Sequence, residues 1–129
     1  MENRLVDTDV LSFILKGDSR AQSYAKHLEG RVLCLCFATV AELYRWAIQK
    51  NWGPKRIDDL RRTLRRYVVL PYDDAMAWEW ARVTSIPGRP VAPGDAWIAA
   101  ASLRHRISLV THNRRHFEHI PGIDVVSEG

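Results

Sequence analysis

Val32-Leu33-Cys34-Leu35-Cys36-Phe37 runs directly into Ala38-Thr39-Val40-Ala41-Glu42-Leu43-Tyr44. The first six residues are apolar without a break, the character of a strand buried on both faces. Beyond Thr39 the spacing changes, and Val40, Leu43, Ala47 and Ile48 fall along one side of a helix. A strand with no polar face that feeds a helix predicts a parallel sheet covered by helices on both sides.

The segments on either side agree. Upstream, Arg4-Leu5-Val6 reads as a first strand, and Asp7-Thr8-Asp9 leads it into a helix through Val10–Leu15. Gly17-Asp18-Ser19 stops that helix and caps a second, about 20–29, which Gly30 ends. Downstream, Gly53-Pro54 breaks the helix that carries Glu42, and another follows over about 55–66. A third strand lies over 67–70, a helix opened by Asp73-Asp74 runs to about Thr84, and Pro93-Gly94 leads into an Ala-rich helix over 96–105. Ser108–Thr111 is a fourth strand and Asp124–Val126 a candidate fifth. Strands alternate with helices and no hairpin signal intervenes, so the sheet is expected to be mainly parallel with four to five strands. At 129 residues the chain reads as a single domain spanning 1–129, without repeats or a linker.

Composition narrows the function classes. With 47% hydrophobic and 26% charged residues the chain fits a soluble globular protein. Its apolar runs are too short to cross a bilayer, and Glu2, Arg4 and Asp7 interrupt any leader-like stretch, so a cytoplasmic protein without a membrane partner is expected. Cys34 and Cys36 share one side of a strand, which disfavours a mutual disulfide, and no second Cys pair exists to complete a zinc site. They read as buried thiols in a reducing compartment. Nineteen basic against fifteen acidic residues give a net charge of +4, a mild lean towards polyanions. Six of the basic residues crowd 55–66; a solvated face partly paired through Asp58 and Asp59 is the first reading, and a track for an RNA backbone the second.

Asp7, Glu42 and Asp95 each stand where a strand or a Pro-Gly break gives way to a helix. In open parallel sheets such junctions gather at the carboxyl ends of the strands, where ligands are held. Three carboxylates in one crevice repel each other unless a cation joins them. Each also has a local explanation. Asp7 and Asp95 suit helix N-caps, and Thr39-x-x-Glu42 matches a capping box. The Ala-rich helix behind Asp95 must pack closely, however, and that carries its carboxylate to an interior edge.

Four stretches in order carry a resemblance: Leu5-Val6-Asp7-Thr8-Asp9-Val10-Leu11, Thr39-Val40-Ala41-Glu42-Leu43-Tyr44, Gly94-Asp95-Ala96-Trp97-Ile98-Ala99-Ala100, and Leu109-Val110-Thr111-His112-Asn113 with Phe117. They resemble the successive motifs of PIN-domain nucleases, and most nearly the VapC-type toxins of bacterial toxin–antitoxin pairs. The resemblance implies a three-layer α/β/α fold and a Mg²⁺- or Mn²⁺-dependent endoribonuclease. It also implies a homodimer inhibited by a cognate antitoxin, with DNA reached only through that antitoxin. By position Asp7, Glu42 and Asp95 would be the metal ligands. The fourth motif departs from the pattern, since Asn113 and His116 occupy places where a further Asp often lies.

Phosphodiester hydrolysis needs an activated water and neutralised phosphate oxygens, which hard cations on carboxylates supply. Asp7 and Asp95 are expected as direct ligands, with Glu42 binding directly, through water, or helping to deprotonate the nucleophile. Asn113 is expected to orient a water or ligand. Thr8 and Thr111 are candidates to bond the carboxylates or the substrate, although Thr111 also suits a simple strand-end turn. Arg114, Arg115 and His116 are expected to hold substrate phosphate beside the metals. Asp9 reads as a helix cap or a solvent-facing residue, outside the site. His112, His116 and His119 form a weak candidate zinc face that Pro121 curtails. Trp46, Trp52, Trp78 and Trp80 are many for so small a chain, and Trp78 and Trp80 lie on different faces of one helix, so some indole surface should meet another chain. A catalytically weak RNA- or protein-binding module is the alternative function. An Asp-nucleophile phosphatase is remote, because its chemistry needs a late Lys and none follows Lys55.

Overall fold

The computed structural model describes residues 2–129. Strand β1 (Asn3–Val6) passes through Asp7 into helix α1 (Thr8–Lys16), which Gly17 ends with a left-handed φ of 66°. A 3₁₀ turn (Ser19–Tyr24) and the short α2 (Ala25–Leu28) stand where one longer helix is expected. Strand β2 (Val32–Cys36) enters α3 (Phe37–Gln49), and α4 (Pro54–Leu64) precedes β3 (Val68–Leu70). Helices α5 (Asp74–Thr84) and α6 (Pro93–His105) then lead to β4 (Ser108–Val110), a 3₁₀ turn (Arg114–His116) and β5 (Val125–Val126).

The sheet order is β3-β2-β1-β4-β5 and every pairing is parallel. Side chains alternate across it. Leu5, Cys34, Cys36, Leu70 and Leu109 enter one core with α5 and α6, whereas Val6, Leu35 and Val110 enter the other with α1, α3 and α4. Both faces are thus covered, as the uninterrupted apolar run of β2 requires. The expected three-layer α/β/α fold with a parallel sheet is present, and the fifth strand with it.

The order of the strands decides where a ligand is held. The chain builds from β1 outwards to β2 and β3, then returns to add β4 on the opposite side of β1. Between β1 and β4 the connections diverge and leave a crevice at their carboxyl ends. Asp7 closes β1 at that point, its backbone N–H donating to the Val110 carbonyl of β4 at 2.9 Å.

Candidate active site

Four segments line a cavity of about 440 Å³ over this crevice. From α1 come Thr8, Ser12 and Lys16, spaced by four residues along one stripe, with Asp9 beside them. From α3 come Glu42, Arg45, Trp46 and Gln49, again one stripe. Asp95 and Ile98 enter from the first turns of α6, and Asn113 and His116 from beyond β4. The structure therefore brings together Asp7, Thr8, Glu42, Asp95, Asn113 and His116. Arg114 and Arg115 lie exposed on the 3₁₀ turn and do not line the cavity, because that turn aims Asn113 and His116 inward. The cations that do line it, Lys16 and Arg45, were not foreseen from the sequence.

Asp7 is 5% exposed and is the anchor of the site. One carboxylate oxygen accepts from the Thr8 backbone N–H at 2.7 Å, so Asp7 does cap α1. The other accepts from the Thr111 hydroxyl at 2.6 Å. Thr111 is fully buried, so of the two roles expected of it the structure shows the bond to a carboxylate: it holds Asp7 and presents no hydroxyl to the cavity for substrate. The same hydroxyl accepts from the Asn113 N–H at 3.1 Å, tying the fourth motif to the first.

Glu42 and Asp95 lose their capping explanations. Helix α3 begins at Phe37 with Cys36 as its cap, so Thr39 lies inside the helix and Thr39-x-x-Glu42 is no capping box. Thr39 bonds Thr8 instead, hydroxyl to hydroxyl at 3.0 Å, and Thr8 reaches Glu42 Oε1 at 3.4 Å. Helix α6 begins at Pro93 with Ala92 as its cap, as proline at a first helical position favours, and this puts Asp95 in the first turn facing the cavity. His116 Nδ1 lies 3.1 Å from Asp95 Oδ2, within hydrogen-bond distance of the acid.

Asp9 is the acid that sequence reasoning left out. One of its oxygens caps the Val10 N–H at 2.7 Å. The other accepts from the His112 backbone N–H at 3.1 Å and from the Asn113 side-chain amide at 2.9 Å. The Asn113 amide is thus committed to Asp9, and the corner that lacks an Asp after β4 is filled by Asp9 from α1. The alternating acids of Asp7-Thr8-Asp9 were the available signal, hidden by the ordinary preference for Asp at helix starts. The histidine zinc face does not form: His112 Nδ1 meets the Tyr24 hydroxyl at 2.6 Å, His116 meets Asp95, and both ring nitrogens of His119 are buried without partners.

Electrostatics mark the cavity as cation-seeking. Burial pushes the Asp7 carboxyl well above its usual range, and the Asp9 charge pushes it further, against the Thr111 and Thr8 hydrogen bonds. Burial also raises Asp95, opposed by His116 and reinforced by Asp9. Glu42 is raised by burial and by Asp95, against the hydrogen bond from Thr8 and the charge of Arg45. Among the described residues no three His, Cys, Asp or Glu side chains close on one point. The acids instead form a wall of hard oxygens around a cavity. That suits Mg²⁺ or Mn²⁺ better than zinc, since Mg²⁺ binds through one or two carboxylates and keeps several waters.

A PIN domain model matches residues 4–123. The tRNA(fMet)-specific endonuclease VapC of Shigella flexneri is 26% identical over 122 residues, covering 92% of each chain. The crystal structure of DNA-bound VapBC from Salmonella typhimurium superposes with a TM-score of 0.83 at 28% identity, covering 98% of each chain. A VapBC complex from Rickettsia felis, bound to a DNA fragment from its promoter, superposes at 0.85; at 15% identity it speaks for the fold alone.

Proposed function

The chain belongs to the PIN-domain family, and we propose that it is a divalent-metal-dependent endoribonuclease, the toxin of a toxin–antitoxin pair. The observation that supports this most directly is the acid cluster at the β1–β4 switch point, with buried Asp7 at its base, a carboxylate that no Lys or Arg among the described residues pairs with. The VapC relatives named as endonucleases match over nearly their full length.

Mg²⁺ or Mn²⁺ would be held by Asp7 and Asp95, with Glu42 and Asp9 bonding its waters. When bound, the ion supplies an acidified water and neutralises phosphate oxygens. The chain's own residues set the rest. Thr111 and the Thr8 N–H each hold one Asp7 oxygen in a fixed direction, and Asn113 and the Val10 N–H do the same for Asp9. Glu42, raised by burial, is placed to accept a proton from a water entering over Thr8. His116 sits at the rim against Asp95, where it can bond a phosphate oxygen or protonate the leaving oxygen.

We further propose that the protein acts on RNA in the cytoplasm, pairs as a homodimer, and is inhibited by an antitoxin that fills the cavity and alone contacts DNA. No described helix is long and apolar enough to cross a membrane. The deciding experiment is cleavage of RNA by the purified chain with Mn²⁺ or Mg²⁺, against EDTA and against Asp7→Asn and Asp95→Asn. Metal-dependent cutting lost in both variants is expected. Equal cutting by Asp7→Asn would refute the assignment, and no cutting by the wild type would favour the RNA- or protein-binding module.

A further inference from the structure

Beside the acidic cavity lies a second hollow of about 150 Å³, and Lys16 and Trp46 line both. Over a floor that includes Leu15 and Leu60, it sets two indoles against two cations. Lys16 Nζ lies 4.3 Å above the Trp46 ring, Trp46 and Trp52 sit 5.7 Å apart, and the Arg56 guanidinium lies 3.9 Å over Trp52. Both indoles are half-buried, and the two cations are exposed. Asp59, the hollow's acid, is within 3.8 Å of Arg62, so Arg56 faces the groove without a bonded acid of its own.

We propose that this groove is a nucleotide subsite. The residue next to the scissile phosphate lays its base against Trp46 while Lys16 swings from the ring to a backbone phosphate. Arg45 and Arg56 neutralise the phosphates on either side. The proposal rests on the nuclease reading and deepens it. The acid wall that binds a metal repels every phosphate except the one the metal holds, so neighbouring phosphates need cations close by. Among the described residues Lys16 and Arg45 are the cations at the cavity itself. Aromatic faces interleaved with Lys and Arg are the chemistry of single-strand binding, where stacking tolerates any base and the cations follow the backbone. Stacking on Trp46 also requires an unpaired base, because bases inside a duplex are not free to stack on protein. The RNA is therefore single-stranded beside the cut.

The test is fluorescence anisotropy of a short labelled single-stranded RNA with the full chain in EDTA, with folding checked by circular dichroism. Trp46→Leu should raise Kd roughly 5–150-fold, the range for losing one stacked base. Trp46→Phe, which keeps a ring, should recover most of the affinity. Lys16→Gln, at an exposed position, should lower the salt slope by about one phosphate contact. The same RNA as a blunt duplex should bind far more weakly and indifferently to Trp46. Unchanged affinity in Trp46→Leu and Lys16→Gln, or equal binding of duplex, overturns the subsite and assigns the hollow to a protein segment. The two readings separate cleanly. Trp46-dependent binding without metal-dependent cutting leaves the subsite standing and the nuclease refuted; cutting with Trp46-independent binding does the reverse.

Discussion

At the scale of single residues, Asp7 concentrates the site's chemistry because it is both a helix cap and a buried charge. Its carboxyl is raised above the ordinary 3.8 by burial and by Asp9. Between the unfolded and folded values the native state holds a proton that the unfolded chain has lost. Asp7 therefore adds stability as pH falls through that window and withdraws it as pH rises past the folded value. Lower carboxyls work the other way: Arg20 holds Asp18 at about 2, and Arg104 lowers Asp73, so their contribution is lost in stronger acid. Metal-free protein should accordingly be most stable in mild acid, and Asp7→Asn should flatten the neutral side of that profile in thermal melts. Mg²⁺ at neutral pH should raise the wild-type Tm and leave Asp7→Asn nearly unmoved; equal shifts would remove Asp7 from the ligand set. Thr111→Val preserves volume and deletes the 2.6 Å hydrogen bond to Asp7. It should cost roughly 10–100-fold in metal affinity, by titration calorimetry, with the far-ultraviolet spectrum unchanged.

Among the elements, α6 is the one whose composition explains its position. Ala96, Ala99, Ala100 and Ala101 are all fully buried, because the helix packs against α5, the sheet and the start of α3 at once. Small side chains permit that close approach, and the approach delivers Asp95 to the cavity. Gly94 stands close by Glu42, where an added Cβ would lie 3.7 Å from Oε1. Ala100→Leu should overpack this junction at a cost of about 1–3 kcal/mol by urea unfolding, and lower cleavage as Asp95 shifts. The local rules that misplaced two helix starts failed for one reason. Capping preferences describe a helix end in water, whereas α3 leaves β2 with no turn between them and Thr39, fully buried, finds its partner in Thr8 of α1.

Across the whole molecule, exposed apolar side chains gather at one edge of the sheet. Strand β3 lies at the edge, and Val68 and Val69 are exposed there, with Tyr72 just beyond and Trp78 on α5 67% exposed. Trp80, the other indole of that helix, stacks on Trp97 at 5.2 Å, so the expected division of the two faces holds. An unpaired edge flanked by apolar side chains needs cover. Sedimentation velocity should find a dimer, and Trp78→Ser combined with Val68→Lys should shift it towards monomer; a wild-type monomer at high concentration would exclude the homodimer.

The chain's own order of residues determined the parallel α/β fold and singled out Asp7, Glu42 and Asp95, all of which line the cavity. Those features rest on short-range periodicity, in which each apolar run states whether one face or two will be buried. Only the tertiary structure decided the rest of the site. Asp9, Lys16, Arg45 and Trp46 face the cavity because α1 and α3 pack with those stripes turned towards each other, and Arg114 and Arg115 face away because their turn points Asn113 and His116 inward. Which side of a helix meets a cleft depends on crossing angles and on where β4 joins the sheet. Both are set by contacts between residues about a hundred positions apart, such as Thr111 with Asp7, and no local pattern encodes them.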